Sequence, residues 1–486
     1  MGIKYRNDIR KIGIIRDFNS ISSFILEKMI TFKKHKKFSD LFTYYFEKRM
    51  IKILLLGAIS GFPWVIIGSS LSLWLKEDGL SRTTIGWAGL IFAVYAFNYL
   101  WAPLIDRIYI PFLTKKIGHR KSWIFLMQTM ILICLLLWSL IDPTYNLTFV
   151  IGIGLVIAIA SSTQDITVDA LRIEQISKNE KELMAAGAAV AVVGWWTGYK
   201  LGGVIALNLA EYFENLGIIN YWQMSFVGLG LIVILFNIGL LFIKEKDFNS
   251  KKNNQNQLDK KIIKSLKVNN ILVRITAWIS STISGPLINF FKKNGFKIAL
   301  SILCFIFLFK IGEAFLGRMS VIFYKEIGFS KSDIALYSKT FGWVTTVIFT
   351  LLGGLFAIRS GVIKSMFFAG ILMASTNLLF TILAWSEKSY FLFALAVILD
   401  DVAAAFATVA FVAFISLLVD RNYTATQYAL LASIGTAGRT SLASSSGALV
   451  DWLNGDWGTF FIITALMVIP SLFLLYKIKD KINLND

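Results

Sequence analysis

The sequence predicts an all-α integral membrane protein with twelve transmembrane helices arranged as two six-helix bundles. Three observations carry that expectation. Hydrophobic residues fill 56% of the 486 positions and charged residues only 16%, with a mean hydropathy of +0.65, whereas soluble domains carry about 25% charged residues. The apolar residues fall in runs long enough to cross a bilayer core, which takes about 20 residues as a helix. A polar motif after the first run recurs after the seventh, as a duplicated six-plus-six chain requires. Forty Phe, 14 Trp and 16 Tyr suit a lipid-facing surface with aromatic anchors, and the lack of regular alternation argues against a β-barrel.

Taken in order, residues 1–50 read as a basic segment with a cluster at Lys33, Lys34, Lys36 and Lys37. The first apolar run starts near Ile51, and no small-residue cleavage site follows it, so it reads as a retained span rather than a signal peptide. The first bundle, 51–243, holds spans near 51–75, 84–105, 122–141, 147–170, 184–210 and 222–243. Residues 244–297 form a linker: a polar tract, KKNNQNQLDKK, then an apolar stretch interrupted by Arg274, Gly285 and Pro286 that suits a helix lying in the membrane interface. The second bundle, 298–477, holds spans near 298–323, 333–358, 363–385, 389–419, 428–450 and 458–477, and 478–486 is a tail. An even span count puts both termini on one side. Most of the 49 Lys+Arg lie there, which marks that side as cytoplasmic. The net charge of +19 then reflects topology and attraction to anionic lipids at the cytoplasmic face, not a nucleic-acid partner. A monomer is the default expectation for such a bundle.

The repeat is Lys76-Glu77-Asp78-Gly79-Leu80-Ser81-Arg82 with Ile85, echoed by Lys325-Glu326-Ile327-Gly328-Phe329-Ser330-Lys331 with Ile334. A second echo pairs Gly198-Tyr199-Lys200 with Gly438-Arg439. Two related bundles around a central site is the architecture of secondary transporters.

A charge at mid-bilayer costs about 2.5–3.5 kcal/mol on insertion scales, so ionisable residues inside spans are expected to face protein or a wet cavity. Here they are Asp165, Asp169 and Arg172, then Lys200, Lys310, Glu313, Arg318, Asp400, Asp401 and Arg439. Asp165 and Asp169 are i,i+4 and share a helix face. Asp165, Asp169, Glu313 and Asp401 are the candidate proton-linked acids, because protonating an acid held by a cation frees that cation. Gln164, Lys200, Lys310 and Arg439 are candidates for polar and carboxylate groups of a ligand. Trp64, Tyr95, Asn98, Trp196 and Tyr199 offer flat faces and hydrogen bonds that suit a sugar ring. Asp106 and Arg107, with Arg120 after the turn, form an acid–base junction that reads as a gate. The driving force is then a proton gradient, with no cofactor and no metal: Cys134 and Cys304 lie in apolar spans, and His35 and His119 lie in basic segments. A membrane-embedded enzyme lacks a nucleophile–base pair; Ser444, Ser445 and Ser446 are helix-packing residue types.

Several stretches resemble the AmpG-type muropeptide permeases. They are Ser60-Gly61-Phe62-Pro63, Thr84-Ile85-Gly86-Trp87, Trp101-Ala102-Pro103-Leu104-Ile105-Asp106-Arg107, Gln164-Asp165-Ile166-Thr167-Val168-Asp169-Ala170 and, in the second half, Lys310-Ile311-Gly312-Glu313-Ala314-Phe315 and Tyr428 through Arg439. The likeness spans about residues 50–477. It implies a major-facilitator fold and a bacterial inner-membrane importer of peptidoglycan turnover fragments, N-acetylglucosaminyl-1,6-anhydro-N-acetylmuramic acid with or without its peptide, by proton symport. Glu313, Asp400-Asp401 and Ala403-Ala404-Ala405 depart from the family pattern. The rival cargo on this fold is another polar or anionic solute such as a CoA ester or a drug. The near balance of acids and bases in the spans leans against a polyanion.

Overall fold

No water is available in hydrocarbon to satisfy backbone N–H and C=O groups, so each apolar run must close its own hydrogen bonds as a helix. The computed structural model describes residues 41–80, 88–177, 179–245, 271–329, 333, 342–443 and 445–482, and the spans within them are helical, some in more than one piece. In the first half they are α1 (Lys48–Glu77), α2 (a chain of short pieces ending in Ala102–Arg107), α3 (His119–Trp138), α4 (Pro143–Gln175), α5 (Lys181–Asn215) and α6 (Tyr221–Leu241). In the second half they are α7 (Phe296–Leu308 and Ile311–Glu326), α8 (Gly342–Ser360), α9 (Val362–Trp385), α10 (Tyr390–Leu418), α11 (Thr424–Ala443) and α12 (Trp457–Ile478). The N-terminal lysine cluster, His35, residues 81–87, the polar tract 246–270, Lys331, Ile334 and Ser444 lie outside the described residues.

Local chemistry sets the helix boundaries. Asp142 caps α4 by accepting from Thr144 N, with Pro143 at the first turn. Ser389 caps α10 through Leu392 N, and Asp456 caps α12 through Thr459 N. The repeated motif makes the same helix stop twice. Leu80 N donates to Leu75 O and Phe329 N to Tyr324 O, with Gly79 and Gly328 at φ +83° and +93° between them. The repeated acid then does the same work in each half: Trp222 Nε1 at the start of α6 donates to Glu77 (2.6 Å), and Trp457 Nε1 at the start of α12 donates to Glu326 (2.7 Å).

Small residues let the inner helices touch. Gly57 and Gly61 of α1 face Gly194 and Gly198 of α5 so closely that a Cβ on any of them would run into the opposing backbone. Gly198 lies on the carbonyl of Ala58, and Gly438 of α11 lies on that of Phe307 in α7. The second sequence echo is therefore a pair of equivalent close approaches, α1 on α5 and α7 on α11.

Four spans read from sequence as continuous are broken. α2 is interrupted at Phe97 and Trp101, both near φ −107°, ψ 0°; Pro103 has no N–H to donate to the preceding turn. α7 breaks at Lys310 (φ −104°, ψ 16°). α11 stops at Ala443, and a separate turn of helix, Ser446–Trp452, follows. α12 is offset at Val468 before Pro470. In the linker, Ile271–Asn294 is one helix with Pro286 inside it, and Gln427 Nε2 of α11 donates to the Pro286 carbonyl (2.9 Å).

The core is divided in an informative way. Here the tail end is the one where the described chain begins and finishes, and the far end is the opposite one. At the tail end a single apolar core runs through both bundles, from Met50, Ile53 and Met184 to Phe305, Leu355, Phe414 and Tyr428. Toward the far end it splits into two. One core belongs to the first bundle (Phe62, Trp74, Trp138, Trp222) and the other to the second (Phe315, Tyr324, Phe380, Trp457). The bundles thus share one core at the tail end and keep separate cores toward the far end, the core arrangement of a wedge that narrows to the tail end.

Candidate functional site

The first bundle's wall is built on α4. Asp165 is half-buried and its Oδ1 accepts from Ser60 Oγ of α1 (2.7 Å). One turn toward the tail end, Asp169 accepts from Arg172 Nε (3.1 Å) and Nη2 (3.0 Å). Two neighbouring hydroxyls on α4 bind α2: Tyr95 OH donates to Ser161 Oγ (2.7 Å) and Trp101 Nε1 to Thr163 Oγ1 (3.0 Å). Trp64 lies against Phe92, Tyr95 and Trp195, with ring centroids 5.0, 4.6 and 5.7 Å away. Trp195 in turn stacks on Tyr199 at 5.4 Å and meets Trp196 edge-on at 5.2 Å. The Lys200 ammonium lies 5.7 Å from both the Trp196 and Tyr199 rings. The structure therefore brings Trp64, Tyr95, Trp196, Tyr199 and Lys200 into one aromatic group beside Asp165.

Gln164 departs from the sequence expectation. It is fully buried, and its Nε2 donates to Ile59 O of α1 (2.8 Å), so it braces α4 against α1 and presents no surface to a ligand in this conformation. A helix turns 100° per residue, so adjacency to Asp165 in sequence is divergence in space. Asn98 is also engaged, its Oδ1 accepting from Ser433 Oγ of α11 (3.4 Å).

The second bundle's wall is built on the break in α7. Lys310 Nζ is shared by Glu313 (3.0 Å) and Thr408 Oγ1 of α10 (2.9 Å). Asp400 accepts from Thr376 Oγ1 of α9 (3.3 Å), and Asp401 follows it on α10, half-buried. Arg439, on α11, is exposed and near enough to repel the Lys310 ammonium. Three acids and two bases thus share one wall.

The gate candidates lie where the bundles meet at the tail end. Asp106 is buried and accepts from the N–H groups of Ala425 (3.3 Å) and Thr426 (2.8 Å) and from Thr426 Oγ1 (2.6 Å) at the start of α11. That is an acid of one bundle capping a helix of the other. Arg120 pairs with the same carboxylate and with Glu174 (3.2 Å). Arg107 is buried beside them. Glu245, just past α6, accepts from the N–H groups of Arg120 (2.9 Å) and Lys121 (3.2 Å); burial pushes its carboxyl above the usual range. Arg421, in the turn before α11, donates back to the carbonyls of Ile173 and Ile176 at the end of α4. Ser60, Thr408, Ser416, Glu174, Glu245 and Arg421 were given no site role from the sequence, although Ser60 and Thr408 lie in stretches that resemble the family. Hydroxyls in apolar runs commonly satisfy themselves on their own helix, and the other three sit among ordinary charges at the end of α4 and in the loops.

Comparison with known proteins places the chain. Residues 53–323 match the Major Facilitator Superfamily, and the AmpG 4 protein of Rickettsia conorii is 33% identical over 90% of this chain and 97% of its own length. The chain belongs to the major facilitator superfamily, as an AmpG-type permease. The anhydromuropeptide permease of Escherichia coli K12 is 27% identical, over 88% of this chain and 79% of its own. Among solved structures, the proton:xylose symporter XylE superposes with a TM-score of 0.61 at 14% identity, covering 90% of this chain and 96% of that one. A bacterial homologue of ferroportin in its outward-facing state gives 0.57 at 15% identity, covering 89% and 100%. These confirm the twelve-helix fold of the permease. It is a multi-pass membrane transporter, not an enzyme.

Proposed function

We propose that this permease imports peptidoglycan turnover fragments, anhydro-disaccharides with or without peptide, across the bacterial inner membrane in symport with protons. The tail end faces the cytoplasm, and the wedge opens to the periplasm. One observation carries the reading: partly wet carboxylates, Asp165, Asp169 and Glu313, on the facing walls of a wedge, in a chain alike over nearly its whole length to an anhydromuropeptide permease.

Cargo enters from the far end, its sugar rings against Trp64, Trp196 and Tyr199 and its carboxylates toward Lys200 and Arg439. Protonation of the acids then permits the tail-end contacts to part and the far end to close. A proton moving through 100 mV supplies about 2.3 kcal/mol, enough for roughly 50-fold accumulation. Uptake of a labelled anhydro-disaccharide-tetrapeptide into proteoliposomes with an imposed pH gradient tests this. Concentrative uptake that an ionophore abolishes and that Asp165→Asn reduces to equilibration is expected. Uptake indifferent to the ionophore overturns the coupling, and displacement of the label by a CoA ester but not by unlabelled muropeptide overturns the cargo.

A further inference from the structure

Arg172 has 1% of its side chain exposed, and its ion pair among the described residues is with Asp169. The same guanidinium crosses to the other bundle: Nη2 donates to Ser416 Oγ near the end of α10 (3.1 Å), and the group lies 5.6 Å from the ring centre of Tyr428 in α11. Ser416 Oγ–H donates to Val412 O on its own helix (2.6 Å), which leaves its lone pairs to accept from Arg172. Asp169 is the wetter partner, with 31% of its side chain exposed. Among the described residues, the other charged or titratable groups around this pair are Asp165 one turn up on α4, the Tyr428 hydroxyl on α11, and Arg421, Asp420 and Glu174 below. Arg421 adds a like charge near Arg172 and its own grip on the last carbonyls of α4.

The geometry points to Arg172 and Ser416 as positioning residues that convert protonation of Asp169 into release of the tail-end closure. With Asp169 ionised, Arg172 is neutralised in a dry site and free to hold Ser416. With Asp169 protonated, the guanidinium loses its ion pair while Arg421 stands near it as a like charge and Glu174 is already paired with Arg120, and the state that lets water reach it, the one with α4 and α10 parted, is favoured. The proton arrives on the Asp169 carboxyl from the wedge, and no bond other than that O–H forms. This rests on Asp169 as a proton-linked acid but not on the identity of the cargo.

The test reads conformation without cargo. Spin labels at Lys116→Cys and Lys297→Cys, exposed tail-end positions on the two bundles, in a background with Cys134 and Cys304 replaced by Ala, report the tail-end distance in the full-length protein in nanodiscs. One linked proton changes the open-to-closed ratio by up to about tenfold per pH unit. The intact chain is expected to approach that slope on acidification, Asp169→Glu to retain it, and Asp169→Asn to be open at every pH with no slope. Ser416→Ala keeps the ion pair and is expected to move the whole curve about tenfold toward open, the scale of one hydrogen bond to a charged group. An unchanged slope in Asp169→Asn, a flat response in the intact chain, or a Ser416→Ala curve that overlies the original overturns the inference. Failure of muropeptide uptake with these distances as expected would instead remove the cargo reading and leave the coupling intact.

Discussion

Each bundle holds an ion pair at i,i+3 on a helix that faces the wedge, and the two are wired differently. Asp169–Arg172 reaches outside its bundle, through Arg172 to Ser416. Lys310–Glu313 stays at home, Lys310 taking its second partner from Thr408 of its own bundle. A pair that bridges two bodies changes energy when they move, whereas a pair within one rigid body moves with it. The first is therefore suited to sense and set conformation, and the second to hold a local balance of charge beside whatever occupies the wedge.

The largest expected effect follows from the unequal burial within the bridging pair. Asp169→Ala strands a guanidinium that is 1% exposed, at about 3–5 kcal/mol, the range for removing one partner of a buried pair. Arg172→Met leaves a carboxylate that is 31% exposed and can be hydrated, at about 1 kcal/mol. Thermal unfolding in detergent should therefore show the aspartate variant melting well below the arginine variant; equal melting temperatures would mean the pair is wet on both sides. The in-bundle pair should behave in the opposite manner. Lys310→Met leaves Glu313 without its ion pair and Asp400 without the cation that faces it, so the expected result is a fold that persists while muropeptide uptake drops about 100-fold, roughly 2.7 kcal/mol. If the tail-end distance also shifted in that variant, the contrast between the two pairs would be lost.

How much of this was legible beforehand follows the same division between what is local and what is not. α3, α6 and α9 could be read because each is a nearly uninterrupted apolar run, and α4, α5 and α10 because their few inward charges leave long apolar runs on either side. The breaks in α2 and α7 could not. Trp101 leaves helical geometry ahead of Pro103, and Lys310 sits at a break where it can meet both Glu313 and Thr408. Asp165 and Asp169 are correctly on one face by i,i+4 spacing, yet they serve different partners, Ser60 inside the bundle and, through Arg172, Ser416 across it. Which helix lies opposite is a property of packing, and a single sequence carries no signal for it. Gln164, one residue from Asp165, is turned by the helix toward Ile59 O of α1. Asp106 was recognisable as an acid that positive-inside charge does not explain, but its donors on α11 lie more than 300 residues away in sequence.

An intermediate effect is expected at that gate. Asp106 takes three donors from the other bundle and a guanidinium from its own, so Asp106→Asn loses the charge that faces the start of α11. About 2 kcal/mol of tail-closed preference should go with it. Thiol labelling of a cysteine at Thr426 would read this as faster modification in the variant than in the parent carrying the same cysteine; identical rates would assign the closure to the shared apolar core alone.

The smallest effect belongs to the tail-end contact that should not respond at all. Arg49 at the start of α1 forms a fork on Glu180 at the start of α5, at 2.8 and 3.0 Å, within one bundle. The Arg49 guanidinium, with help from Ser177 N, pulls the Glu180 carboxyl down to about 2. A carboxyl depressed in the folded state contributes stability above its unfolded value near 4.3, and that contribution fades only as pH falls through the folded value. Between pH 5 and 8 the clamp is constant. Glu180→Gln should then lower the melting temperature by the same small amount at pH 5 and at pH 8, and should leave the slope of tail-end opening against pH untouched. If the variant instead flattened that slope, the proton sensor would lie at the mouth of the first bundle rather than at Asp169, and the bridging pair would lose its special standing.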